Sequence, residues 1–292
     1  MGMRKLLLII LTLSFLTSSA QTPMRKLIKR SSPLLLDTYS SSSLALSIRK
    51  LRTAYSGSCL RVRRDSDNTE QDIGFVNNEL DTASMKTFVG ANGGFVVTWY
   101  DQSGNGNNAT QATGANQPKI ITAGVVERLG GKVVLIFDGT NDLLTYSNIS
   151  AYTDWSQFIV TKRSAAGVRG LSLSSNPGGV LMSQWNDNNF YIQRVTSGGD
   201  LYCAAADVTA DYVLISGFTI SAGGMTAYKN ATAYSLGAET GFATTASVFS
   251  QIGAYGTSSM SGSMSEVVLY ASDKSSDRVG IQTNINTFFA LW

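Results

Sequence analysis

The sequence predicts an all-β protein, a jelly-roll β-sandwich with short accessory helices. Three observations carry this. From Lys119 onward, apolar runs of strand length recur about every 8–14 residues with Gly, Asn, Asp and Ser turns between them, as in sandwiches built from many short strands. The composition is low in charge, at 15%, and holds 28 glycines but only four prolines, which suits strands joined by tight turns. Finally, 292 residues can bury one sizeable core, and no linker-like stretch divides the chain after Ser31.

The first residues stand apart from the fold. Arg4 and Lys5 precede the apolar run LLLIILTLSFL, and Ser18 and Ala20 are small residues at the −3 and −1 positions of a cleavage site. This is the pattern of a secretory signal peptide over 1–20. The run is shorter than the roughly 20 apolar residues of a membrane span, so no stable span is expected after cleavage. Residues 21–35, with MRKLIKR at 24–30, read as a basic spacer. The domain is expected over 36–292, and the location as secreted or cell surface. Through Arg64 there are twelve Lys and Arg against one acid; from Asp65 there are eleven against nineteen. The net charge of +3 is therefore an N-terminal feature, and no basic strip with interleaved aromatics predicts nucleic-acid binding.

Within the domain, SSLALSIRKLRTAY reads as a helix, because Leu44, Ile48, Leu51 and Tyr55 recur near the helical period. Serines at 40–43 would cap it, and Gly57 would end it. CLRVRR follows as a strand with Leu60 and Val62 inward. A second helix is predicted in ELDTASMKTFVGA, with Asp81 as N-cap and Gly90 just past its end. GFVVTWYD is a strand with Phe95, Val97 and Trp99 on one face, running into DQSGNGNN. The later strands include KIITA, KVVLIFDG, QFIVTKR, GLSLSS, GVLMSQW, NFYIQRV, LYCAAADV, DYVLISGFTIS, MTAYKN, SQIGAYG and GSMSEVVLYAS. SSDRVGIQTNINTFFALW closes the chain as a helix.

Several chemistries are excluded. The chain has no histidine, which removes Ser-His-Asp and Cys-His nucleophile systems and histidine-based zinc sites. Cys59 and Cys203 are too far apart in sequence for a Cys-only metal motif, and whether they are bridged stays open. The acidic stretch DSDNTEQDIGF fails the EF-hand template, since its sixth and twelfth positions are Glu70 and Val76. No cofactor is expected, with calcium at that stretch left open. Any catalysis must rest on carboxylates.

The residues also carry a family resemblance. SLALSIRKLRTAYSGSCLRVRRDSDNTEQDIGF, followed by FVVTWYDQSGNGNNATQ and QPKI, resembles the start of the catalytic domain of family 54 α-L-arabinofuranosidases, over about 43–120. FDGTNDLL, MTAYKNATAYSL and the ending from Gly262 resemble laminin-G-like, concanavalin A-like domains over 119–292. Both resemblances imply a concanavalin A-like sandwich, and similar segments occur in phage virion proteins. The arabinofuranosidase family places its nucleophile in an Asp-Tyr-Gly-Asn-x-Glu-Thr segment and contacts the sugar through a vicinal cysteine pair. Neither occurs here, and AET at 238–240 lacks the upstream residues.

Sugar sites combine aromatic faces with amides and carboxylates. Two stretches have that composition, and they supply the candidate ligand contacts: Asp101, Gln102, Asn105 and Asn107 in the first, Trp185, Asn186, Asp187, Asn188 and Tyr191 in the second. The competing reading of 101–108 is a turn that bonds its own backbone. No catalytic residue is assigned. A retaining glycosidase needs two carboxyls about 5–5.5 Å apart; Asp101, Asp187, Glu239 and Glu266 are the acids considered, Glu266 being structural in the laminin-G-like pattern. The expected function is a secreted carbohydrate-recognition or adhesion module with a polysaccharide or glycan partner. The alternatives are an α-L-arabinofuranosidase-type hydrolase and an oligomeric structural protein of a cell surface or virion.

Overall fold

The strand Ser261–Tyr270 organises the molecule, and nine of its ten residues are buried. Residues of both faces are buried, polar ones included, which places the strand at the centre. One edge pairs antiparallel with Trp155–Arg163 along almost its whole length. The other edge is shared: Glu266–Leu269 pair with Leu44–Ser47, and Ser261–Met264 pair with Leu135–Asp138. The architecture is described from a computed structural model that covers residues 33–292 except 153, 166–169, 175–179, 185–188, 197–198, 207–210, 221–223, 235–246 and 256–257, with backbone only for a further set that includes the strands between 170 and 206.

From this centre the pairing extends two ways. Trp155–Arg163 pairs with Val213–Ile220, which forms a hairpin with Gly224–Lys229. On the other side, Leu135–Asp138 meets Lys119–Thr122 at Ile136 and Lys119. Lys119–Thr122 in turn pairs with Gly94–Trp99, then Leu60–Arg64, then Glu70–Ile73. A further series runs from Leu144–Tyr152 through Ser247–Ile252, Gly170–Ser174, Val180–Gln184 and Asn189–Thr196 to Gly199–Ala206. Among the described residues every pairing is antiparallel. The result is the jelly-roll sandwich with short helices that the strand spacing predicts, of the concanavalin A-like kind that the family resemblance implies. Pro33–Trp292 forms one compact unit, and the expected leader at 1–20 lies outside the described residues.

Two of the three expected helices are present. Asp81 caps Thr82–Val89 by accepting from Ser84 N–H at 3.0 Å, and Gly90 follows at φ 65°. Arg278–Phe289 is the last helix, burying Ile281, Gln282, Ile285 and Phe289. Gln282 donates to Ser216 Oγ at 3.0 Å, and Phe218 packs edge-on against Phe158 at 5.6 Å.

The helix expected at 43–55 is instead a strand, Leu44–Ser47, followed by an irregular segment. Leu44, Ala45, Leu46 and Ser47 are all fully buried. A short, wholly buried run has no polar face, so its spacing cannot separate helix from strand; pairing with the central strand decides it. The predicted apolar face of Gly94–Trp99 also changes. Val96 and Trp99 are buried whereas Phe95 and Val97 are half-exposed. A register shift between Arg61 and Val62 leaves Val97 opposite neither, so the strand changes face across this bulge.

One ion pair joins three elements. Arg49 donates from Nε to Glu266 Oε2 at 2.7 Å and from Nη2 to Oε1 at 2.9 Å. Ser47 Oγ donates to the same Oε2 at 2.7 Å. Arg49 Nη1 reaches Asn284 Oδ1 on the last helix at 2.9 Å, and its guanidinium lies 5.3 Å from the Phe288 ring. Glu266 is fully buried, which matches the structural acid of the laminin-G-like pattern. Glu266→Gln should cost about 3–5 kcal/mol, because a buried guanidinium loses its counter-charge. Urea denaturation measures it; a loss below about 1 kcal/mol, the value of an exposed pair, contradicts the buried-pair reading.

Candidate functional site

After the strand Gly94–Trp99, residues 101–108 turn most of their polar side-chain atoms onto their own backbone and onto residues 42–51. Asp101 is 4% exposed. Its Oδ1 accepts from Ala45 N–H and Ser103 N–H, both at 2.9 Å. Its Oδ2 accepts from Ser103 Oγ at 2.6 Å and Asn107 N–H at 3.0 Å. Gln102 is fully buried. Its Oε1 accepts from Leu51 N–H at 2.7 Å, while Nε2 donates to the carbonyls of Arg49 at 2.9 Å and Ser47 at 3.2 Å. Asn105 Nδ2 donates to the Ser42 carbonyl at 2.9 Å, and Asn107 Nδ2 to the Ser43 carbonyl at 2.9 Å.

The segment 42–51 explains this expenditure. Leu44–Ser47 is wholly buried, so backbone groups that do not reach the central strand need other partners. The loop supplies them. Gly104 at φ 97° and Gly106 at φ 75° take the left-handed turns that fold the loop back. Arg52 Nη1 donates to the Ser103 carbonyl at 2.7 Å and anchors the tip. Asn105 is the most exposed of the four predicted contacts in this loop, with its carboxamide NH2 engaged.

Of the second candidate set, Trp185, Asn186, Asp187 and Asn188 lie outside the described residues. Tyr191 sits in the strand Asn189–Thr196, and its side chain is likewise outside them. Among the acids considered for catalysis, Asp101 and Glu266 are buried and committed to hydrogen bonds; Asp187 and Glu239 are not described. Cys59 is a free, buried thiol that donates to the Ser47 carbonyl at 3.2 Å, and burial pushes its pKa well up. It is therefore not bridged to Cys203.

The acidic stretch resolves into pairs. Arg61 grips Asp72 bidentately at 2.8 and 2.9 Å, and Tyr100 Oη donates to the same carboxylate at 2.7 Å. Arg64 grips Asp67, which also accepts from Thr69 and is held well below the usual carboxylate range by Arg64. Asp65 accepts from Gly93 N–H at 3.0 Å. Among the described residues no group of three or more His, Cys, Asp or Glu could hold a metal ion.

One acid of unusual character was not legible in the sequence. In FDGTNDLL, Asp138 Oδ1 accepts from Thr140 N–H at 2.7 Å, and Asp142 Oδ2 accepts from Asp138 N–H at 2.9 Å. Asp142 is 5% exposed. Burial, with the nearby Asp138 charge, raises its pKa to about 7, against the opposing pull of the Asp138 N–H and Lys119. A turn motif announces the hydrogen bonds; only tertiary burial makes the acid weak.

Two outcomes follow. Removing the Gln102 carboxamide strips the Leu51 N–H and the Arg49 carbonyl of their partners, while the Ser47 carbonyl keeps Cys59, so Gln102→Ala should lose at least about 2 kcal/mol in urea denaturation; a neutral result would contradict the clamp. For Asp142, the folded state keeps its proton up to about pH 7, whereas an unfolded aspartate releases it near pH 4. The native state then binds more protons between these values, and stability falls as pH rises through that window. In Asp142→Asn this fall disappears, so its Tm relative to wild type should rise from pH 4 to pH 8. A Tm difference that stays constant over that range contradicts the assignment.

The comparisons with known proteins agree with this scaffold. The family model described as alpha-L-arabinofuranosidase B, catalytic, matches residues 40–134, the region that holds the clamp. No curated protein sequence matches the chain. Three solved structures share the fold across 86% of this chain. One is an arabinofuranosidase complexed with arabinofuranosyl-α-1,2-xylobiose, at 15% identity and TM-score 0.60. Another is a family 54 α-L-arabinofuranosidase soaked with a cyclic sulfate inhibitor, at 16% and 0.63. The third is a mutant of a family 54 α-L-arabinofuranosidase soaked with 4-nitrophenyl α-L-arabinofuranoside, at 17% and 0.61. The chain spans 64% of the length of each. It is thus built on a scaffold similar to the catalytic domain of family 54 α-L-arabinofuranosidases.

Proposed function

We propose that this protein is a glycoside hydrolase of the α-L-arabinofuranosidase type, acting on arabinofuranosyl groups of an exported or environmental polysaccharide. The match of residues 40–134 to the arabinofuranosidase catalytic domain carries the reading. It coincides with the stretch where the sequence resemblance is most specific, and the fold likeness extends it over most of the chain. The solved relatives accommodate an arabinofuranosyl-xylobiose and an aryl arabinofuranoside, which defines the substrate class proposed here. The signal-like leader favours work outside the cell.

The sugar-facing groups proposed are Trp185 to Asn188 and Tyr191, with Asn105 at the tip of the clamp. Asp101 and Gln102 support the site by holding the segment 42–51. A second reading has a specific observation behind it. The Asp-Tyr-Gly-Asn-x-Glu-Thr segment and the vicinal cysteines of the resembled family are missing, which favours a domain that grips arabinofuranosyl chains without cleaving them.

One assay separates the two. Incubated with 4-nitrophenyl α-L-arabinofuranoside, the full chain should release nitrophenol above the no-enzyme rate, and Asp187→Asn should lower that release at least about a hundredfold, the order of effect expected for a general acid–base group. No release together with retention on arabinoxylan establishes the binding reading. No release and no retention on any polysaccharide removes both.

A further inference from the structure

We propose a sugar-stacking subsite away from the 101–108 loop, in the groove between the hairpin Tyr228–Tyr234 and Trp292, with Trp292 as its platform. It rests on the glycan reading above and extends it to a new position. The groove encloses about 400 Å³ and is lined by Lys229, Asn230, Ala231, Thr232, Tyr234 and Trp292. Three features point to a sugar ring.

First, Trp292 is 49% exposed, whereas Trp99 and Trp155 are fully buried. Second, that exposed indole is carried on a fixed backbone. Asn286, on the last helix, accepts at Oδ1 from Leu291 N–H at 2.7 Å and Trp292 N–H at 3.2 Å, and donates from Nδ2 to the Trp292 carbonyl at 2.9 Å. A backbone already fixed costs no further ordering when a ligand stacks on the ring it carries. Third, the opposite wall offers hydroxyl-matching groups on an ordered hairpin. Asn230 sits at φ 55° and spends its Oδ1 on Leu214 N–H at 3.0 Å, which fixes the side chain and keeps its NH2 as a donor. Thr232 is exposed and contributes a hydroxyl, and Lys229 contributes an ammonium tethered to Asp211 at 3.6 Å. An apolar platform with a few placed polar groups is the usual make-up of a small-ligand site.

The chemistry selects the ligand class. A neutral pyranose ring presents C–H groups to the indole face and equatorial hydroxyls to Asn230 and Thr232. A flat apolar ligand would leave those donors unpaired, at a cost. The role inferred is to hold a second residue of the same polysaccharide whose arabinofuranosyl branch is handled elsewhere on the domain.

Affinity electrophoresis of the full chain in gels containing soluble arabinoxylan tests this. Trp292→Ala should weaken retardation roughly tenfold, the loss expected for truncating a stacking aromatic hot spot, while Trp292→Phe keeps most of it. Iodide quenching in a Trp185→Phe background, which removes the other tryptophan proposed to face sugar, is the second readout: arabinoxylan should protect a tryptophan component there that is missing once Trp292→Phe is added. Retardation of Trp292→Ala equal to wild type overturns the proposal. So does arabinoxylan that leaves iodide quenching in the Trp185→Phe background unchanged. If wild type releases nitrophenol from the aryl arabinofuranoside but is not retarded, the subsite fails and the hydrolase reading stands. If it does neither, both fail.

Discussion

The molecule depends on how one buried segment, residues 42–51, is held between the central strand and the rest of the chain. The charge pair Arg49–Glu266 is the anchor. A carboxylate fully removed from water is tolerable only when both oxygens are matched, and here Arg49 and Ser47 match them from the segment itself. Because Arg49 also reaches Asn284, the pair fixes the last helix on the same face. Residues more than 200 positions apart in sequence are brought together by one side chain.

The loop at 101–108 completes the same task from the other side. The free edge of Leu44–Ser47 and the segment after it carry backbone donors and acceptors into the interior. Asp101 and Gln102 absorb them, as Asn105 and Asn107 do for the carbonyls of 42–43. The motif is therefore a clamp first. It can mark a scaffold similar to that of arabinofuranosidases through this structural role.

Much of this was legible in the sequence, for identifiable reasons. Strands after Lys119 were legible because turn residues punctuate them, and the helix at 82–89 because Asp81 and Gly90 mark its ends. Glu266 was legible as structural through a family pattern. The strand Leu44–Ser47 was not, because a run buried on every side has no amphipathic period to read. The bulge that turns Phe95 and Val97 outward, and the burial that weakens Asp142, arise from long-range pairing. The use made of Asp101 and Gln102 was half legible: a turn that bonds its own backbone was foreseen, but not that it would reach across to Ala45 and Leu51.

A crystal of the protein soaked with an arabinofuranosyl xylo-oligosaccharide tests the account most directly. It predicts an arabinofuranosyl group bound to the domain while Asp101 and Gln102 keep their bonds to Ala45, Leu51, Ser47 and Arg49. A sugar hydrogen-bonded to Asp101 or Gln102, with the 42–51 segment released, would contradict it.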